Sequence, residues 1–339
     1  MIHFLQKQGT KRGNKQHWLL NLNTKMKTLE NIDLAQFTTI KIGGRASKLC
    51  LPASVDEMVE LLNRLVSKNE PWSILGGGSN VLVSSYEIPG TVICTTALNW
   101  IEKLGPDLIS TGAGVRLPRL SAYAAKLGLS GMEFFEGIPG TVGGAVVMNA
   151  GAHGSSTNQI LETVAVLDLK RGVIENLTPK DINFGYRLSS INPVEKVVLS
   201  AKFRMLPDTE AAIKSRMKEY NAARRKTQPI KDPSAGCTFR NPLEINLPAG
   251  KMLDSIGAKN WKVGSASVSS LHANFIINTG IAESTDVCKL MKNMQDAVME
   301  KYNVLLKPEI KPLGVFNKEE AIIWTNSDET EKNSFIITR

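Results

Sequence analysis

Cysteine is scarce. The four residues Cys50, Cys94, Cys237 and Cys288 lie far apart with no C-x-x-C pair, which argues against a disulfide framework and a thiolate zinc site. No metal is expected, and a reducing compartment is. Long apolar runs are missing too: nothing approaches the roughly 20 residues a membrane span needs, so no membrane partner is expected. No G-x-x-x-x-G-K-[ST] occurs, and neither Gly76-Gly-Gly-Ser-Asn80 nor Gly112-Ala-Gly114 completes G-x-G-x-x-G. A P-loop NTPase and a Rossmann dinucleotide fold are therefore disfavoured. Acid is absent from residues 1–27, where Lys7, Lys11, Arg12, Lys15, Lys25 and Lys27 supply six of the nine net positive charges. The remaining chain is only mildly basic, so charge gives little support to a nucleic-acid partner. That leader has no long apolar segment and no small-residue cleavage site, so it does not read as a secretory signal. It is expected to be a disordered basic extension, or an over-called start ahead of Met26, and the protein is expected to be cytoplasmic.

What is present is an ordinary globular chain. Its 339 residues, 42% hydrophobic and 22% charged, favour two domains, or three small ones, over one core. From Thr38 the text alternates strand and helix signals, favouring an α/β or α+β architecture. Ile40-Lys-Ile reads as a strand ending in Gly43-Gly44, and Val55–Val66 carries apolar residues at helical spacing. Trp72–Leu75 and Val81–Val83 read as short strands hinged on Gly76–Gly78. A helix is expected near Leu117–Leu127, and strands over Val164–Leu169 and Val197–Met205. Composition shifts near Pro207, where Thr209–Thr227 reads as a charged amphipathic helix ended by Gln228-Pro229. The expected units are residues 28–206, a smaller α+β module over 207–316 with a helix at about Ser284–Tyr302, and a tail over 317–339.

Glycines cluster in two loops, Gly76–Gly78 and Gly137–Gly154. Such loops let backbone pass close to a ligand, and their free N–H groups form anion-binding nests. Two in one domain suggest a diphosphate, although tight corners between strands would also use them.

Several segments carry a resemblance. Thr38-Thr-Ile-Lys-Ile-Gly-Gly-Arg-Ala46, Leu75-Gly-Gly-Gly-Ser-Asn80, the run from Gly137 to Ala152, Phe184-Gly-Tyr-Arg187, Ser234-Ala-Gly-Cys-Thr-Phe-Arg-Asn-Pro242, His272-Ala-Asn-Phe-Ile276 and Pro308-Glu-Ile-Lys311 follow one another in order. Together they resemble the UDP-N-acetylenolpyruvoylglucosamine reductases, from about residue 30 to 314. The long Tyr-bearing insertion of one subgroup is absent, so the chain resembles the shorter, type II form. The resemblance implies a two-subdomain FAD-binding unit of the vanillyl-alcohol-oxidase (PCMH) type, followed by a smaller α+β substrate-binding domain. It also implies non-covalent FAD and NADPH as hydride donor. The reaction would reduce the enolpyruvyl ether of a UDP-sugar to UDP-N-acetylmuramate for peptidoglycan, by hydride from the flavin N5 to the vinyl carbon and a proton to the α carbon. A monomer is expected.

The resemblance also implies site residues. Cys237 falls at the proton-donor position, usually Ser in this family. A thiol is mostly protonated at neutral pH yet a stronger acid than an alcohol, at the cost of being open to oxidation. Its bland reading is a small buried hydrophobe. Arg187 offers a planar fork for a carboxylate, or an ordinary surface ion pair. Glu309, in apolar text, could have a raised pKa and serve as acid or as orienting group, with Lys311 two residues on as a secondary carboxylate contact. FAD is expected at Gly76, Gly77, Gly78, Ser79 and Asn80 and at Gly140, Thr141, Gly143 and Gly144, with Asn149, Gly151 and Gly154 nearer the isoalloxazine. The UDP-sugar is expected at Arg224 or Arg225, Asn241, Lys259 and His272, the last equally readable as a structural histidine. His153 suggests covalent flavin attachment, against which the resemblance argues. The rival readings are a sugar or alcohol oxidase on the same fold, and a basic nucleic-acid binder.

Overall fold

The computed structural model describes residues 26–325 and the backbone of 336–338; the expected extension lies outside the described residues but for its last two. Lys27 opens a strand, Lys27–Asp33, that pairs antiparallel with Arg45–Leu51. Ile88–Cys94 and Trp72–Leu75 continue this first sheet in parallel. The strand at the paired glycines follows them instead of preceding them: Ile40 and Ile42 are buried but make no ladder.

Helix α1 (Val55–Ser67) starts where the Ser54 side chain accepts the Glu57 N–H, with Asp56 and Glu57 in the first turn. Its apolar face, Met58, Leu61, Leu62 and Leu65, packs on Ile93 of the first sheet and on Leu167, Val197 and Leu199 of the second. One helix thus joins two lobes. The second lobe is an antiparallel sheet in the order Val173–Leu177, Leu161–Asp168, Lys196–Arg204, Leu108–Gly112, Ile101–Lys103. Helices α2 (Leu117–Lys126) and α3 (Val142–Val147) bury Leu120, Val142 and Val146 with Phe135 and Phe203 in its core.

Helix α4 (Glu210–Thr227) was expected to open the second domain, yet it docks on the second lobe. Arg216 donates to Glu133 at 2.6 Å and to Asp208 at 2.6 Å, Asn221 donates to Glu136, and Ile213 and Met217 pack on Ala125. Burial pushes the Glu133 carboxyl up, but Arg216 and backbone N–H donors outweigh it and hold it below the ordinary range. The polar face of α4 hid this partner.

The remaining module is an antiparallel sheet of Ser234–Cys237, Phe275–Asn278, Ala266–Val268 and Lys262–Val263. It is packed by α5 (Ala249–Ser255) and α6 (Ser284–Tyr302), which bury Met252, Leu253, Met291, Met294 and Val298. Two features depart from the expected boundaries. Lys311–Phe316 pairs in parallel with Val81–Val83 of the first lobe while its Phe316 stays in the module core. The expected tail then forms α7 (Lys318–Thr325), with Ile323 and Trp324 buried in the module core and Trp324 Nε1 donating to Ile310 O at 2.9 Å. Eight residues were too few to reveal periodicity. Among the described residues no helix is long and apolar enough to cross a membrane.

Candidate active site

The two lobes and the module meet around a cavity of about 760 Å³. Both glycine loops face it, which spacing alone could not determine. They are knitted together: Ser79 Oγ donates to Pro139 O at 2.7 Å, Leu117 N–H to Gly140 O at 3.1 Å, and Arg116 to Gly77 O at 3.4 Å. Gly78 has φ +65°, and a Cβ there would lie 1.9 Å from Phe37 O, so only glycine fits.

These walls suit a dinucleotide. Thr141 Oγ1 is buried with no hydrogen-bond partner, 2.8 Å from where a Gly76 Cβ would stand. A buried hydroxyl costs free energy unless it is bonded, and here it borders a glycine-lined space with room for a phosphate oxygen. Gly140, Gly143, Gly144 and Gly151 line the same cavity, and Ile191, Val197 and Val198 give it an apolar end for a flat ring. Asn149 is not among the lining residues: its amide donates to Gly185 O at 3.0 Å and accepts the Asn158 N–H at 3.1 Å, which makes it a loop tether. Gly154 also lies off the lining. His153 lines the cavity with its ring stacked on Tyr220, centroids 4.0 Å apart.

The polar end gathers Arg187, Cys237, Glu309 and Lys311. Gly236, at φ +82°, sits in the irregular pairing between Ser234 and Cys237, a bulge that turns the thiol into the cavity. Glu309 is brought beside it because its N–H donates to Thr238 O at 2.8 Å. Arg187 closes the hairpin Phe184–Ser189 in a left-handed conformation, φ +56°. Its Nε donates to Glu309 Oε1 at 3.0 Å, and its guanidinium lies 5.2 Å from the Tyr186 ring centre. Among the described residues neither Nη makes a hydrogen bond, leaving a two-pronged donor for a carboxylate.

Burial sets the electrostatics. It raises the Glu309 carboxyl above the ordinary range, more than Arg187, Arg240 and Lys311 lower it. Burial, then the Glu309 charge, push the Cys237 thiol up to about 12. The thiol is therefore a firmly protonated donor, and the oxidation expected of it is suppressed by the same desolvation.

Arg224 reaches the cavity from the end of α4 and also borders a second cavity of about 650 Å³. Burial lowers its pKa, and its Nε has no partner. Arg225, by contrast, is exposed and off the cavity. Three other expected sugar contacts also lie off it. Asn241 Oδ1 accepts the Ala249 N–H at 3.0 Å, Lys259 pairs with Asp254 at 2.9 Å, and His272 Nδ1 accepts the Asn274 N–H at 3.1 Å. His272 reaches the cavity only through Phe275, edge-on at 4.9 Å. Sequence reading missed Tyr186, beside Arg187, and Arg240, three residues after Cys237. Their only signal was adjacency to residues already singled out.

Two lobes clasping a glycine-walled cavity, with a third module adding a proton-holding residue, define an FAD-binding oxidoreductase. The family described as FAD binding domain matches residues 46–178. The family described as UDP-N-acetylenolpyruvoylglucosamine reductase, C-terminal domain, matches residues 228–313. A curated reductase of that name from Parasynechococcus marenigrum (strain WH8102) is 40% identical over 295 residues, 86% of this chain and 98% of the relative. Its counterpart in Bacillus pumilus (strain SAFR-032) is 38% identical over 293 residues, 86% and 95% of the two chains. The crystal structure of the Thermus caldophilus enzyme superposes with a TM-score of 0.72 at 34% identity, covering 85% of this chain and 98% of that one. The chain belongs to the UDP-N-acetylenolpyruvoylglucosamine reductase family, and FAD is its cofactor.

Proposed function

We propose that the protein reduces the enolpyruvyl ether of UDP-N-acetylglucosamine to UDP-N-acetylmuramate with NADPH, in peptidoglycan precursor synthesis. The observation that carries this reading is the meeting of Arg187, Cys237 and Glu309, from three parts of the chain, at one end of the glycine-walled cavity. The cofactor would be held by Gly76–Ser79, Gly140, Thr141, Gly143, Gly144 and Gly151. FAD held there would supply the hydride chemistry that links NADPH to the vinyl carbon.

The chain's own residues do the rest. The two Nη groups of Arg187 hold the substrate carboxylate, where negative charge grows as the double bond is reduced. Glu309 fixes the Arg187 fork through Nε, and Lys311 adds positive charge beside it. Cys237 Sγ gives its proton to the α carbon, forming the C–H bond as S–H breaks, and the thiolate regains a proton from water. The high thiol pKa keeps that proton in place until charge has built up on the substrate. Arg224, with an unbonded Nε beside the thiol, is the cation from α4 suited to the anionic part of the UDP-sugar. Arg225, Asn241, Lys259 and His272 would act there only if the module closes further over the bound sugar.

The test is NADPH oxidation by FAD-loaded protein with and without the enolpyruvyl sugar. Sugar-dependent oxidation yielding UDP-N-acetylmuramate is expected. Oxidation that ignores the sugar and consumes oxygen would instead support an oxidase on the same fold.

A further inference from the structure

Asn80 ends the first glycine loop, where the expected role is contact with FAD. The hydrogen bonds point elsewhere. Asn80 Nδ2 donates to the backbone carbonyl of Glu309 at 3.1 Å, and Asn80 O accepts the Lys311 N–H at 3.0 Å. The next residue, Val81, is paired with Lys311 in the parallel ladder. One residue of the flavin-side loop therefore holds the segment carrying Glu309 at two points on its C-terminal side, across 229 residues of sequence. The other end of that segment is fixed by the Glu309 N–H on Thr238 O, next to Cys237. The Glu309 backbone is thus held by both its polar groups, one from each side of the cavity.

We propose that the Asn80 side chain serves to position Glu309 and, through it, the Arg187 fork, and does not itself bind FAD. It rests on the reductase reading given above. An amide N–H on a carbonyl is a modest interaction, but a carboxylate displaced by even an ångström misaims Arg187 at the substrate. Gly76–Ser79 line the cavity, while the Asn80 amide commits a donor to the Glu309 carbonyl. Asn80 itself also lines the cavity.

The test compares Asn80→Ala and the near-isosteric Asn80→Asp, which cannot donate to the Glu309 carbonyl, each alone and combined with Glu309→Gln. FAD affinity is read by titration of apoprotein, and turnover at saturating FAD. The expected result is FAD affinity within about twofold of the parent, turnover lowered roughly tenfold, and a double variant no slower than Glu309→Gln alone. A tenfold loss of FAD affinity with turnover restored at saturating FAD would overturn the proposal, as would losses that multiply in the double variant. If Asn80→Ala fails to fold, Asn80→Asp preserves shape and volume and carries the same readings. Failure of the reductase reading shows earlier and separately, as absent sugar-dependent turnover in the parent protein, while the FAD titrations still decide whether the Asn80 side chain binds the flavin.

Discussion

At the scale of single residues, the site works by taking ionisable groups out of water. Cys237 and Glu309 are both pushed toward their protonated forms by burial, and the Glu309 charge raises the thiol further. With the thiol near 12, its thiolate fraction at neutral pH is roughly 10³-fold below that of a free cysteine. Alkylation of Cys237 by iodoacetamide should be slower by that order, measured by mass spectrometry of the labelled peptide; a rate like that of free cysteine would contradict the assignment. Glu309 gives a pH signature. Its pKa is higher folded than unfolded, so its contribution to stability is whole below the ordinary carboxylate range and is lost as pH rises through the raised value. Chemical denaturation across that window should therefore show stability falling with pH, and Glu309→Gln should flatten the fall. Arg187→Lys should lower turnover roughly 10-fold to 100-fold, because an ammonium cannot give one donor to Glu309 and a fork to the substrate. Steady-state kinetics at saturating FAD would read it. These residues were legible in sequence only through the motifs around them. Tyr186 and Arg240 were not, because what makes them matter is a ring under a guanidinium and a charge near Glu309, neither of which leaves a pattern along the chain.

At the scale of elements, periodicity found the long helices but not the docking partner of α4. The residues of α1, α4 and α6 were legible almost to the end because each runs for three or more turns with a cap or an evident stop. The partner of α4 was not, since its docking rests on Arg216 reaching Glu133 and Asp208 across 83 and 8 residues. Helix α7 was missed altogether, yet it closes the module core. Trp324→Ala should cost about 3–5 kcal/mol, seen as a lower denaturant midpoint with an unchanged slope. A loss below about 1 kcal/mol would mean that α7 is dispensable to the core. The short strand Lys311–Phe316 illustrates the same limit. Its pairing with Val81–Val83 is a long-range event that no local propensity announces, and it is this pairing that delivers Glu309 to the cavity.

At the scale of the whole molecule, the chain distributes one site over three parts. The lobes line the glycine-walled part of the cavity and hold Arg187, the module holds Cys237, and the segment leading into the strand Lys311–Phe316 carries Glu309 between them. The glycine loops suggested a diphosphate, but only the fold brings them face to face at Ser79 and Pro139. Near the expected boundary at Pro207 the same physics applies: α4 buries its apolar residues against the second lobe, while Lys311–Phe316 bridges, with Leu313 in the first-lobe core and Phe316 in the module core. The central claim is that Cys237 supplies the proton after the flavin has been reduced, so the most direct measurement separates the two half-reactions in Cys237→Ala. Stopped-flow reduction of FAD by NADPH should proceed as in the parent protein, while turnover with the enolpyruvyl sugar falls by about 10²-fold or more and Cys237→Ser recovers part of it. Equal loss in both half-reactions, or turnover undiminished in Cys237→Ala, would contradict the account.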